Sequence, residues 1–564
     1  MRTARASAIL AATLLLGAAS PSWAAVFTVS NTNDSGPGSL RQAILDNNAK
    51  PGGNVIEIKI VGRGPHVIKP TGKLLPPIIG PATVKGTMQA PAGGGAPVPV
   101  VVLDGSGIFP IRTPTACPGA TASYNFKDQQ WEYSRVAGTG PNVRGYWGAG
   151  LAVLDSHDVE ITGLEIRNFC IGVATIRSNH VNVHHMKIVD SHGAAGVIFT
   201  GDDDASGSTP LSFNNRLADS TLLDNGDGFE FTRGTHDSLL ENNYIALTQP
   251  LPVDGNAVEY ASSGPKNSMI GNTFTNYVDT SVTVGSGGEH TIRNNKIIKN
   301  KGAGMSVGGN NNLITGNTFS DNGGTAITIG GSGTKFTSNV VSGNGNAGVM
   351  ITGSDTTISK NTIFGNKGLA IDVAPMGANA SDDTGHNAPT IDAASQWTRA
   401  GLDLRGTLVS RPKQTYTIEL FASSAAATGI TTAPPVRNGP PGTDQPGALL
   451  PAGGVAAPGA AMAPPAADAA RGGGRGARGG GRGGTADATP ATTTATATPT
   501  GDGEKYLGTV TVMTDAKGHG TFTLTVPGAD PLGASKTSLF VAGTATDAAG
   551  NTSEFGQARS LIKK

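Results

Sequence analysis

Only two of the 564 residues are cysteine, which leaves at most one disulfide, between Cys117 and Cys170. Aromatic residues make up 5% of the chain and charged residues 15%, so neither a large aromatic core nor a charge-laced helical surface is available. Lys plus Arg equals Asp plus Glu at 41 each, and this balance points to neither nucleic acid nor an anionic membrane as partner. After the first 25 residues no apolar run is long enough to cross a bilayer, and no membrane insertion is expected. What is abundant instead is glycine, at 82 residues, with 35 prolines. That composition favours short strands and turns.

Residues 1–25 carry Arg2 and Arg5, an apolar centre from Ile9 to Ala19 and small residues at Ser22 and Ala24, the pattern of a secretory signal cleaved near Ala24 or Ala25. A secreted protein, periplasmic or extracellular, is expected. In an oxidising compartment the two cysteines could pair, although nothing in the sequence fixes their separation.

Self-similarity dominates the middle of the chain. Asn272, Asn295, Asn317, Asn339 and Asn361 follow at steps of 23, 22, 22 and 22, and Asn300, Asn322, Asn344 and Asn366 at steps of 22. Each period holds two or three strand-sized pieces with alternating apolar residues, such as Ile327 and Ile329 around Thr328. Strands this short cannot bury a core alone. Coiled into a solenoid, they stack on their copies one period away and share one apolar interior. Asparagine repeated at one place in each coil can hydrogen-bond to the asparagine above and below.

One piece of each period aligns through Leu151-Ala152-Val153, Val173-Ala174-Thr175, Val197-Ile198-Phe199, Phe229-Glu230-Phe231, Val258-Glu259-Tyr260 and Val282-Thr283-Val284, then onward to Ile371-Asp372-Val373. Apolar runs at 55–61, 74–84 and 98–103 supply irregular first coils, giving about twelve in all and a rod roughly 55 to 60 Å long at ~4.8 Å per layer.

These repeats resemble the right-handed parallel β-helix of the pectate-lyase-like superfamily. Gly38-Ser39-Leu40-Arg41-Gln42-Ala43-Ile44 resembles an N-terminal cap of such proteins, the Cys-Ser-Leu-Arg-Glu-Ala type, with Gly in place of Cys and Gln in place of Glu. Read physically, it is a helix with Ser39 as N-cap and Leu40, Ala43 and Ile44 on one face, covering the open end of the solenoid. The implied fold class is all-β: a β-helix over 26–392, then a small β-sandwich from 399–425 plus 504–559. Residues 426–503, built of Ala, Pro, Gly, Thr and Arg, read as a disordered insert between its halves.

Function in a solenoid is grafted where coils are lengthened. Two lengthened loops stand out, 201–210 and 249–255, expected to rise on opposite edges of one sheet face with a groove between them. On the outward side of that face Glu230 and Glu259 belong to adjacent coils, near the ~5 Å carboxylate separation of a retaining glycosidase. Their proximity favours a shared proton or a bound cation. Asp202, Asp203 and Asp204 could add oxygen ligands for Ca²⁺. Arg233 and His236 could neutralise a uronate carboxylate or move a proton. Trp131, Tyr133, Tyr146 and Trp147, on a long loop, offer flat rings suited to stacking on sugar faces.

The pattern of a polygalacturonase-like hydrolase is not met: His192-Gly193, Asp202-Asp203 and Asn225-Gly226-Asp227 occur in reversed order, and the only Arg-x-Lys, Arg411 to Lys413, lies outside the helix. The resulting expectation is a monomeric exported protein that binds polysaccharide in a groove on the helix, with cleavage by lyase or glycosidase chemistry left open. The rival is a non-catalytic surface adhesin or structural rod.

Overall fold

The computed structural model describes residues 24–113, 117, 148–193, 195–201, 212–251, 255–374, 387–425, 501–528, 530–533 and 536–564, and the backbone of 121–125 and 130–134. Among the described residues, three long parallel sheets of twelve, eleven and ten strands run the length of a solenoid. In a regular coil the chain passes from the first sheet (Thr291–Arg293) to the second (Lys296–Ile298) and then to the third (Met305–Val307). The third-sheet register agrees with the alignment read from sequence at every coil, from Leu151 opposite Val173 to Val349 opposite Ile371. Inward residues such as Ile292, Ile297, Phe319 and Ile327 are fully buried in one continuous core.

The corners explain the repeat. Gly271, Asn294, Gly316, Ser338 and Lys360 all take left-handed backbone angles, φ 55 to 71°, and each directly precedes a ladder asparagine. The left-handed residue turns the chain, and the asparagine behind it turns inward to bond the exposed amides of the bend. Asn295 Oδ1 accepts both the backbone N–H (2.9 Å) and the Nδ2 (3.0 Å) of Asn272, and Asn317 Oδ1 does the same for Asn295. The second series, Asn300 to Asn366, repeats the arrangement at the next corner. Asn294, Ser338 and Lys360 hold this conformation as Gly271 and Gly316 do, so the corner suits glycine but does not require it.

At the N-terminal end the helix Leu40–Ala49 is capped by Ser39, whose hydroxyl accepts from Gln42 N–H, and it buries Leu40, Ala43 and Ile44 against the first strands. Cys117 and Cys170 are disulfide-bonded. No described helix is long and apolar enough to cross a membrane.

The C-terminal part forms two four-stranded antiparallel sheets. One centres on Gly401–Val409 and the other on Thr415–Ser423, and Leu404, Ile418, Leu420, Val541 and Leu561 fill the core between them. This sandwich closes the open edge of the solenoid. Ile358 N–H donates to Thr552 Oγ1, Lys360 N–H to Glu419, Gly365 N–H to Asp502 and Val373 N–H to Glu554, while Ile363 pairs with Gly503 through the backbone. An unpaired parallel edge would otherwise be left to solvent or to another chain.

Burial pushes the Asp502 carboxyl up to about 6, with Glu504 adding to the rise and the Gly365 N–H opposing it. The folded state therefore holds this proton more tightly than the unfolded chain. The associated stability is complete below about pH 4 and is lost as pH rises through about 6. Asp502→Asn is accordingly expected to stabilise the sandwich junction by about 2–3 kcal/mol at pH 7.5 and to give no gain at pH 4, read from denaturant midpoints at the two pH values.

Candidate functional site

The outward face of the third sheet carries a column Ala174, Ile198, Glu230, Glu259, Thr283, each opposite the next in the neighbouring coil. Glu230 and Glu259 are therefore vertical neighbours, as the repeat implies. The structure adds a third carboxylate: Asp227, at the start of the strand Asp227–Thr232, brings an oxygen within 4.8 Å of oxygens on both glutamates. Glu230 is 4% and Asp227 5% exposed, and Glu259 is half-buried. This differs from a solvent-facing pair on a groove floor. The outward face of the preceding coils holds an apolar cluster of its own, including Leu154, Ile171, Ile176 and Ile198.

The 249–255 loop is tied down at both ends by aspartates flanking Asn225-Gly226. Asp224 accepts from Thr248 N–H and Oγ1, both 2.6 Å, and from Gln249. Asp227 Oδ1 accepts from Asn256 N–H at 2.6 Å. At the loop exit a Cβ on Gly255 would lie 1.8 Å from the Gly226 carbonyl oxygen, so only glycine allows this approach. The same loop walls a cavity of about 300 Å³, lined by Leu247, Pro250, Leu251, Val278, Asp279 and Lys301 among others, and none of the three carboxylates lines it.

His192 precedes the strand Ala195–Thr200, in the coil whose Ala195 pairs with Asp227. It is 1% exposed, its Nδ1 lies 3.0 Å from the Asp190 carbonyl, and burial holds its pKa below the ordinary histidine value. Arg112 bridges the Asp190 carboxylate and the Pro250 carbonyl, joining this corner to the inserted loop. Arg233 follows the Glu230 strand at a left-handed turn, φ 49°, and burial lowers its pKa. His236 lies at the next corner, hydrogen-bonded to Asp237 at 2.6 Å and stacked on Phe213. Asp202, Asp203, Asp204, Tyr146 and Trp147 lie outside the described residues. Trp131 and Tyr133 fall on a hairpin strand, Gln130–Ser134, described by its backbone alone.

Asp227 was the residue that sequence reasoning passed over. Its signal was present in Asn225-Gly226-Asp227, set aside as a motif out of order. Three carboxylates this close, two of them buried, favour a shared proton or a bound cation. An all-oxygen anionic donor set suits a hard divalent cation such as Ca²⁺, Mg²⁺ or Mn²⁺.

Residues 263–404 match the family model described as the right handed beta helix region. The chain folds as a right-handed parallel β-helix. The chain is also similar to a curated protein of Acinetobacter baylyi named 3-dehydroshikimate dehydratase, 36% identical over 249 residues, which are 44% of this chain and 47% of the relative. The chain thus spans about half the length of the curated relative it matches. Among solved structures the β-helix is similar to the A-module of a mannuronan C-5 epimerase from Azotobacter vinelandii (14% identity, 62% of this chain and 98% of that one, TM-score 0.36). It is likewise similar to an alginate lyase from a Paenibacillus species (16% identity, 59% and 97%, TM-score 0.32).

Proposed function

We propose that the protein is an exported lyase that removes an oxygen substituent from an oxygenated carboxylic acid held at the Asp227, Glu230 and Glu259 centre. The convergence of three carboxylates, two of them buried, carries this reading. Elimination breaks a C–H bond next to an electron-withdrawing carbonyl or carboxylate, forms a C=C bond and expels the neighbouring oxygen, which leaves with a proton as water or an alcohol. Asp227 and Glu230, the buried pair, would hold a divalent cation. Bound there, the cation would stabilise negative charge developing on the substrate oxygen. Glu259, on the adjacent coil and half-exposed, is the carboxylate placed to take the proton from carbon.

The relative's name makes 3-dehydroshikimate the first substrate to try, since its dehydration belongs to this reaction type. Uronate units of a polysaccharide belong to the same substrate class, because β-elimination at their C4 oxygen has the same bond changes. The test incubates purified protein with 3-dehydroshikimate in one arm and with polymannuronate and polygalacturonate in the other. Each is run with chelator and with Ca²⁺, Mg²⁺ or Mn²⁺ restored, following the new conjugated absorbance. Turnover in one arm, lost with chelator and regained with one ion, is expected. Absence of turnover in both arms with every ion overturns the proposal in favour of a non-catalytic rod.

A further inference from the structure

Beside the column that holds Glu230 runs a second outward column, Leu154, Ile176, Thr200, Thr232 and Ala261, in register across five coils. It is apolar above and below. Hydroxyls occur only in the two coils at the level of Ile198 and Glu230. Thr200 is 0% and Thr232 6% exposed, and neither Oγ1 has a hydrogen-bond partner among the described residues. Valine has nearly the same shape and would fill both positions without burying an unpaired hydroxyl. Buried hydroxyls without such a partner also occur at Ser156, Thr175, Ser191, Ser281 and Thr334; what sets this pair apart is that two stand in register on adjacent coils, two residues along the strand from a buried glutamate.

From this pair we infer the subsite that receives the substrate's carboxylate. The two threonines sit one coil apart, about 4.8 Å, and hydroxyl hydrogen bonds reach about 2.7 Å. Two donors at that spacing can each bond one oxygen of a single carboxylate lying between them. Parallel pairing gives both threonines the same facing, and alternation along the strand gives Thr232 the same facing as Glu230. Arg233, the next residue, adds a guanidinium at this end of the strand. The substrate is thereby oriented: its acid group lies toward Thr200 and Thr232, and its oxygen-bearing carbons toward Asp227, Glu230 and Glu259.

The inference takes from the lyase reading only the acid character of the ligand, so its test reads binding and not turnover. Calorimetric titration of the full chain uses shikimate, its methyl ester and trigalacturonate. The native protein is expected to bind shikimate at least tenfold more tightly than the ester. Thr200→Val with Thr232→Val should weaken shikimate binding at least tenfold and abolish the preference for acid over ester. The thermal midpoint of this variant should be unchanged or higher, and Thr→Ser at both sites should restore the preference. If trigalacturonate alone shows the valine-dependent loss, the subsite stands and the acid is a uronate. Equal binding by native and valine proteins, no binding of either acid by the native protein, or equal affinity for acid and ester overturns it.

Discussion

Glu230→Gln is expected to lower kcat/KM by about 10³-fold or more on whichever acid the protein turns over, while the fold remains intact. Glutamine keeps the shape and one carbonyl oxygen, so packing against Ile198 and Glu259 in the coils on either side is preserved. What disappears is one of three negative charges whose oxygens lie within 4.8 Å of one another. At 4% exposure, water cannot stand in for the lost carboxylate oxygen. The variant should therefore bind the restored divalent cation far more weakly, and its metal-free form should melt no lower than the native protein, because less buried like charge has to be neutralised. Glu259→Gln keeps both buried carboxylates; it should reduce kcat while leaving cation affinity closer to native. Metal titration and steady-state kinetics on both variants separate the two roles. Native activity in Glu230→Gln would remove the centre from the chemistry altogether.

The solenoid was legible because its signals recur. An asparagine behind a left-handed residue every 22 positions reports the corner, and alternation at Ile327-Thr328-Ile329 reports the inward face. Vertical neighbours such as Glu230 and Glu259 then follow from arithmetic. Asp227 did not follow, since the loop before it breaks the period and Asn225-Gly226-Asp227 stands out of order for the hydrolase pattern it resembles. Only the hydrogen bond from Asn256, 29 residues on, shows that the turn is a clamp on the inserted loop. The burial of Glu230 was equally hidden: the outward face of a coil usually meets solvent, and sequence periodicity is silent about what covers it. The closing of the far edge depends on contacts such as Glu554 to Val373, separated by 181 residues. Local pattern cannot predict such pairs, although the need to cover an open parallel edge could have prompted the search for them.

Asn317→Ala in mid-rod is expected to cost about 4 kcal/mol or more, well beyond a typical point substitution. Asn317 is fully buried. Its Oδ1 accepts from Asn295 N–H and Nδ2, its Nδ2 donates to Asn339 Oδ1 and to the Ile292 carbonyl, and its own N–H donates to Asn339 Oδ1. Truncation leaves two donors of Asn295 and the Ile292 carbonyl without this partner, at about 1–3 kcal/mol for each group left unsatisfied away from water. Asn317→Asp should be no milder, because a carboxylate cannot donate to Asn339 and adds a buried charge. Lys296→Ala, an exposed position one residue past the ladder, should stay within about 0.5 kcal/mol. Since each coil is held mainly by its neighbours, the defect should also lower the sharpness of denaturant unfolding by uncoupling the coils on either side. A midpoint for Asn317→Ala indistinguishable from that of Lys296→Ala would mean that the apolar column alone holds the coils in register, and that the asparagines merely satisfy corners which water could serve as well.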